Sequence, residues 1–145
     1  ETNMKRQFLS ILFLLFFVGV FSQTHSLTLE IKGCDNSGGN LMIAGFKGAK
    51  DFNKKENSAF NKSEKVENST LKLSFHNIEE GDYAIAIYHD QNLDNKLNLN
   101  QIGIPIEGFG FSGNYSIFKR PKFKDCSFTI RNDTTIVINM HYLWN

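Results

Sequence analysis

Gly81-Asp82-Tyr83-Ala84-Ile85-Ala86-Ile87-Tyr88-His89-Asp90 decides the fold. From Tyr83 to Tyr88 the run is apolar on both faces, which suits the central strand of a sheet covered on each side. It is entered through a turn, Asn77 to Asp82, that ends in Gly81. Outward from this run, period-2 alternation bounded by turn residues recurs in both directions, and helical periodicity is hard to find. Leu71, Leu73 and Phe75 alternate with Lys72, Ser74 and His76 upstream, and Leu27, Leu29 and Ile31 alternate with Thr28, Glu30 and Lys32 before that. The turn Cys34-Asp35-Asn36-Ser37-Gly38-Gly39-Asn40 leads into a strand from Leu41 to Phe46. Downstream, Phe128 and Ile130 mark a short strand, and Ile136, Ile138, Met140 and Tyr142 a last one after the Asn132-Asp133 turn. Six strands are readable and a seventh fits between Gly108 and Phe118. The expected fold is all-β, an antiparallel two-sheet sandwich of about seven strands, immunoglobulin-like or transthyretin-like. Lys47 to Ser69 is polar and without sustained alternation, and reads as a long loop or as a short helix around Asp51 to Asn57.

The chain has 145 residues and a mass of 16.6 kDa, the size of one domain. Its first 22 residues read separately. They hold five of the 14 Phe residues, and Met4 reads as the initiator, after Glu1, Thr2 and Asn3. Lys5 and Arg6 precede an apolar run from Phe8 to Phe21 that is shorter than the ~20 residues needed to span a bilayer. Val20-Phe21-Ser22 places small residues for cleavage before Gln23. Residues 1–22 are therefore expected to be a secretory signal peptide and residues 23–145 a single secreted or periplasmic domain. Without Glu1, Lys5 and Arg6 the remainder carries 14 basic and 14 acidic side chains, a balance without the basic excess of a nucleic-acid footprint.

Export bears on Cys34 and Cys126. In an oxidising compartment two thiols pair readily, and a bridge here would close a loop of about 92 residues, worth at most roughly 4–5 kcal/mol in the chain-entropy model. Two independent buried thiols are the other reading.

The sharpest chemical motif follows the central strand. Oxygen-bearing side chains at Asp90, Asn92, Asp94 and Asn98 occupy positions 1, 3, 5 and 9 of a calcium loop, Lys96 offers its backbone carbonyl at position 7, and Asn95 stands where glycine usually makes the sharp turn. Gln101 at position 12 cannot supply a bidentate carboxylate, so calcium affinity is expected on the order of 10⁻⁴–10⁻³ M. Glu107 could fold back as a further ligand. The competing reading is an Asx-rich turn satisfied by its own backbone hydrogen bonds. A second cluster, Gly103 to Ser112, is dense in glycine and aromatics. There Glu107, Phe109, Phe111 and Tyr115 form a candidate ligand surface, although the Phe residues could equally plug the end of the sandwich.

No catalytic motif stands out. His25, His76, His89 and His141 are scattered without metal-ligand spacing, and no nucleophile elbow or phosphate loop appears. Glu107 and Asp125 have nothing to set them at a glycosidase separation.

The run Gly81 to Asn98, followed by Ile102-Gly103-Ile104-Pro105-Ile106-Glu107-Gly108-Phe109-Gly110-Phe111-Ser112 and by Arg120-Pro121-Lys122-Phe123-Lys124-Asp125-Cys126-Ser127-Phe128, resembles the bacterial secreted family called domain of unknown function 2141. That resemblance implies a small exported β-sandwich with no established activity. A looser likeness is to transthyretin-like and collagen-adhesin B-type modules, in some of which an Asp-x-Asn-x-Asp loop holds calcium; it implies Asp90, Asn92 and Asp94 as side-chain ligands, with Asn95 and Asn98 departing from the pattern.

The combined expectation is an exported, non-catalytic binding or structural module of the cell envelope. Calcium is its one candidate cofactor and an envelope protein or glycan its partner; no nucleic acid binds and no membrane span remains after cleavage. The alternative is an enzyme or accessory domain acting on glycan, with Phe109 and Phe111 stacking sugars. A third reading, a carrier of a small apolar ligand between the sheets, meets nine Phe, four Tyr and one Trp in residues 23–145 that would fill such a space.

Overall fold

The run Gly81–Asp90 is strand β5, and it lies inside a five-stranded sheet of a computed structural model that describes residues 23–143. The expected signal peptide falls on residues outside that range. The elements in chain order are β1 (Thr24–Lys32), β2 (Asn40–Lys47), α1 (Ala49–Lys54), β3 (Phe60–Lys65), β4 (Thr70–Glu79), β5, β6 (Phe109–Phe111), α2 (Phe123–Cys126), β7 (Ser127–Ile130) and β8 (Thr134–Asn139). Among the described residues no helix is long and apolar enough to cross a membrane.

The five-stranded sheet runs β3-β2-β5-β6, and β7 shares with β6 the same edge of β5. β6 pairs with Ala86 to Tyr88, and β7 with Gly81 to Ala84. The three-stranded sheet runs β4-β1-β8. The fold is thus an all-β two-sheet sandwich, with eight strands among the described residues where about seven were expected. One pairing departs from the antiparallel expectation: β1 and β8 are parallel, Leu29 opposite Ile136 and Ile31 opposite Ile138. The physical reason is the short turn Arg131 to Asp133, which carries the chain from one sheet to the other instead of folding a hairpin within one.

The period-2 pattern buries one side of each strand between the sheets. Leu27, Leu29 and Ile31 of β1 meet Leu41, Ile43, Ile85 and Ile87 of the larger sheet, with Ile130 and Ile138 closing the core. β3 adds Phe60, which lies over Gly45, a position where any side chain would collide with the ring, and which packs on Phe75 at 4.7 Å. Its sequence, Phe-Asn-Lys-Ser-Glu-Lys, lacks an apolar alternation because this edge strand buries little besides Phe60. That is why Lys47 to Ser69 read as a loop; the short helix expected there is α1.

β5 is apolar on both faces because a second, smaller cluster sits on the outer side of the larger sheet. Phe46, Phe52, Ala84 and Cys126 are buried there. Phe52 of α1 meets Phe46, Phe111 and Phe123 edge-on at 5.9, 6.1 and 6.0 Å. The buried Ser112 hydroxyl accepts from the Ile85 N–H at 2.8 Å and donates to the Cys126 carbonyl at 2.6 Å, tying α2 to β5.

Of the two readings of the cysteines, a bridge or two independent buried thiols, the structure has the second. Both are free, buried thiols, Cys34 in the core between the sheets and Cys126 in the cluster on the outer face, so the larger sheet stands between them. Burial pushes the Cys126 thiol up to about 11 and raises Cys34 as well, which leaves both poor nucleophiles.

Candidate functional site

The candidate ligand loop begins where β5 ends. Asp90, 1 % exposed, accepts the Asp94 N–H on Oδ1 at 3.0 Å and the Asn95 N–H on Oδ2 at 2.9 Å. Asn95 does take the left-handed conformation expected of it (φ 62), and Leu93 takes it too. Asp94 Oδ1 accepts the Lys96 N–H, and its Oδ2 accepts the side-chain amides of Asn98 and Asn92. The Asn98 amide, then the Lys96 N–H, hold the Asp94 carboxyl below the usual carboxylate range. Glu107, 5 % exposed, folds back across the loop: Oε1 accepts from Gln91 N at 3.2 Å and Oε2 from Asn98 N at 2.9 Å.

Glu107 therefore folds back onto this loop, one of its two expected places, and not into the aromatic surface, the other. Its carboxylate closes the ring that Asp90 opens. The carboxylate oxygens of Asp90, Asp94 and Glu107 are engaged by N–H donors, and the amides of Asn92 and Asn98 turn donors toward Asp94. Among the described residues no three His, Cys, Asp or Glu side chains group as metal ligands. As arranged, these carboxylates brace the loop by accepting from its own N–H groups.

His89, fully buried beside Asp90, extends the brace toward the C-terminus. The Asp35 N–H donates to the Tyr142 hydroxyl at 2.9 Å, which leaves that hydroxyl to donate to His89 Nδ1 at 2.8 Å; His89 Nε2 then donates to the Gly38 carbonyl at 2.6 Å. This order assigns the proton to Nε2.

The rest of the candidate surface lies on the outer face of the larger sheet. The pairing Ala86 opposite Phe111 and Tyr88 opposite Phe109 sends both Phe side chains to the side away from the main core. Phe109 is buried, and Phe111 stacks edge-on with Tyr115 at 5.1 Å. They form a wall, not an exposed platform. The Tyr115 hydroxyl is buried without a hydrogen-bond partner among the described residues.

That wall bounds a groove of about 1220 Å³. Its floor is the cross-strand pair Ala44 and Ala86, flanked by Met42 opposite Tyr88. The loop segment with Leu99, Ile104 and Pro105 rises on one side, and Ile117 to Pro121 on another, where Phe118 stands 87 % exposed. Alanine on the floor leaves room that larger side chains would fill, and α1 and α2 cover only the neighbouring end of this face. Sequence reasoning missed this floor, yet the signal was there. In Tyr83 to Tyr88, Ile85 and Ile87 face the core while Ala84 and Ala86 face outward, so the apolar run is large on one face and small on the other.

At the end of the groove beside α1 stands Lys55. The residue ends the helix in the left-handed conformation (φ 58), and its side chain folds back so that Nζ lies 3.4 Å from the Phe52 ring centroid, 5.4 Å from that of Phe111 and 5.6 Å from that of Phe46. Nζ donates to the Phe52 carbonyl at 2.7 Å and has no carboxylate within salt-bridge distance among the described residues. Loss of water against the rings pushes its ammonium down to about 8, which the nearby Cys126 opposes and Arg120 reinforces.

Comparison with curated proteins and with solved structures finds no match. The sequence profile of one family, described as an uncharacterized protein conserved in bacteria, matches residues 29–138, from within β1 to within β8, and so takes in the braced loop, the groove floor and Lys55. On that match the chain belongs to the domain of unknown function 2141 family.

Proposed function

We propose that this chain is an exported, non-catalytic binding module of the bacterial cell envelope, secreted or periplasmic, whose working surface is the outer groove of the five-stranded sheet. The observation that carries the binding role is the groove of about 1220 Å³ over Ala44 and Ala86, the size of a lipid-like or drug-sized ligand and apolar along most of its lining. The export role is supported by the leader pattern of residues 4–22. The ligand space lies outside the sandwich, since the interior between the sheets is filled by the main core. In this reading the braced loop from Asp90 to Glu107 is scaffolding. It fixes the segment carrying Leu99, Ile104 and Pro105 against the groove.

A neutral fluorophore, N-phenyl-1-naphthylamine, tests the binding role directly. The purified protein is expected to bind it at one site with enhanced emission, and Ala86→Trp, which fills the floor, to abolish that binding with unchanged circular dichroism. Equal emission from protein and variant would overturn the assignment.

A further inference from the structure

The groove is asymmetric in charge. Its lining includes Lys55, Lys62, Lys119 and Arg120 and, among the described residues, no Asp or Glu, in a chain whose formal net charge is only +1. Lys62 is already paired with Glu64 at 3.0 Å. The others gather at one end. Arg120 reaches across to donate to the Asn53 carbonyl at 3.2 Å, at the end of α1 where Lys55 sits among its three rings. Its guanidinium, exposed, keeps further donors free for an anion. The opposite end, around Tyr88, Leu99 and Ile104, offers apolar walls, and there the nearby Asp90, Glu107 and Asp94, behind the burial of the ring itself, raise the Tyr88 phenol, a sign of negative potential.

Resting on the binding role proposed above, we infer that the ligand is a single-chain amphiphile with an anionic head, the head at Lys55 and Arg120 and the chain along Ala44 and Ala86 toward Ile104. The floor from Phe46 to Met42 spans four strand residues, roughly 13 Å at about 3.3 Å per residue, enough for a medium-length acyl chain. An anion at Lys55 restores to the ammonium the interaction that the phenyl rings take from it by excluding water. A cationic head would repel that group, and a neutral one would leave it without a counter-charge. Carboxylate and phosphate heads share this chemistry.

Displacement of N-phenyl-1-naphthylamine at pH 7 by decanoate, decyl phosphate, decanol and decyltrimethylammonium, all below their micellar concentrations, separates the cases. Decanoate or decyl phosphate is expected to displace the probe at concentrations about tenfold lower than decanol, the tighter of the two identifying the head. The ammonium amphiphile is expected to be weakest. Lys55→Met and, separately, the exposed Arg120→Ala should each narrow the gap between anion and alcohol by weakening decanoate and decyl phosphate more than decanol. Equal displacement by decanoate and decanol, or stronger displacement by decyltrimethylammonium, would overturn the head-group assignment and leave the apolar groove standing. Absence of any probe binding would instead overturn the binding role itself. A concentration-dependent dimer that decanoate fails to dissociate would give the groove to a second copy of the chain and overturn both.

Discussion

At Asp90 one buried carboxylate accepts from two backbone N–H groups, and of these only the Asp94 N–H has a second acceptor, Asn92 Oδ1 at 3.1 Å. Asp90→Ala would leave the Asn95 amide without an acceptor and the Asp94 amide with the Asn92 side-chain oxygen alone, at a cost of about 1–3 kcal/mol. Asp90→Asn, which keeps one acceptor, should lose less. Because the hydrogen bonds come from the backbone, the loss is expected to be the same in EDTA and in millimolar calcium, as read by the midpoint of urea unfolding. A calcium-dependent gain of several degrees in thermal unfolding that Asp90→Ala removed would make this loop a cation site and defeat the expectation, since occupancy adds RT ln(1 + [L]/Kd) to stability. The residue pattern Asp-x-Asn-x-Asp was legible in the sequence, but two different structures share it. What separates them is where the N–H groups point, and the sequence does not carry that. Glu107 shows the same limit from the other side. The sequence allowed it two places, folded back on the loop or beside Phe109 in an aromatic surface, and the return of the chain between Asn98 and Glu107 decides for the loop, as an acceptor of backbone N–H groups.

At the scale of elements, strands that bury alternating apolar residues were readable, and those held by other means were not. β1, β4, β5 and β8 announce themselves through Leu, Ile and Phe at every second position. β3 stays hidden because its backbone pairs with β2 while most of its side chains face water. Helix α1 is six residues long, too short to hold itself in water, and lives by packing Phe52 onto the outer face of the sheet. Phe52→Ala is therefore expected to destabilise the protein by about 3–5 kcal/mol in urea unfolding. Val137→Ala, at a half-exposed site, should stay within about 0.5 kcal/mol. A loss below 1 kcal/mol for Phe52→Ala would mean that α1 detaches without consequence and that the outer cluster is no second core. The same variant releases Lys55 from its nearest ring, so helix packing and groove electrostatics rest on one side chain.

Across the whole molecule, ionisable groups packed against the larger sheet titrate with opposite effects on stability, and two of them, Lys55 and Cys126, share its outer face. Lys55 on the outer face is pushed down to about 8 from an ordinary value of 10.5. Between those values the unfolded chain holds the proton that the folded chain has released, so stability rises with pH. Cys126 is pushed up to about 11 from 9.0, and Tyr142 up to about 12 from 10.0, in both cases chiefly by burial. For these the unfolded chain ionises first, and stability falls as pH rises through about 9 and above. The two effects leave a window from about pH 8 to 9 in which only Lys55 contributes, and its partly exposed side chain keeps the gain modest. The urea midpoint is expected to rise slightly from pH 7.5 to 9 and to decline by pH 10.5. Lys55→Met should remove the rise, and Cys126→Ala should soften the decline. Because both thiols are free and buried, the profile should be identical with and without a reducing agent, and Cys126 should react with a thiol reagent only after unfolding. A midpoint that fell on reduction would place a disulfide between Cys34 and Cys126, and the larger sheet would then have to open for the two to meet.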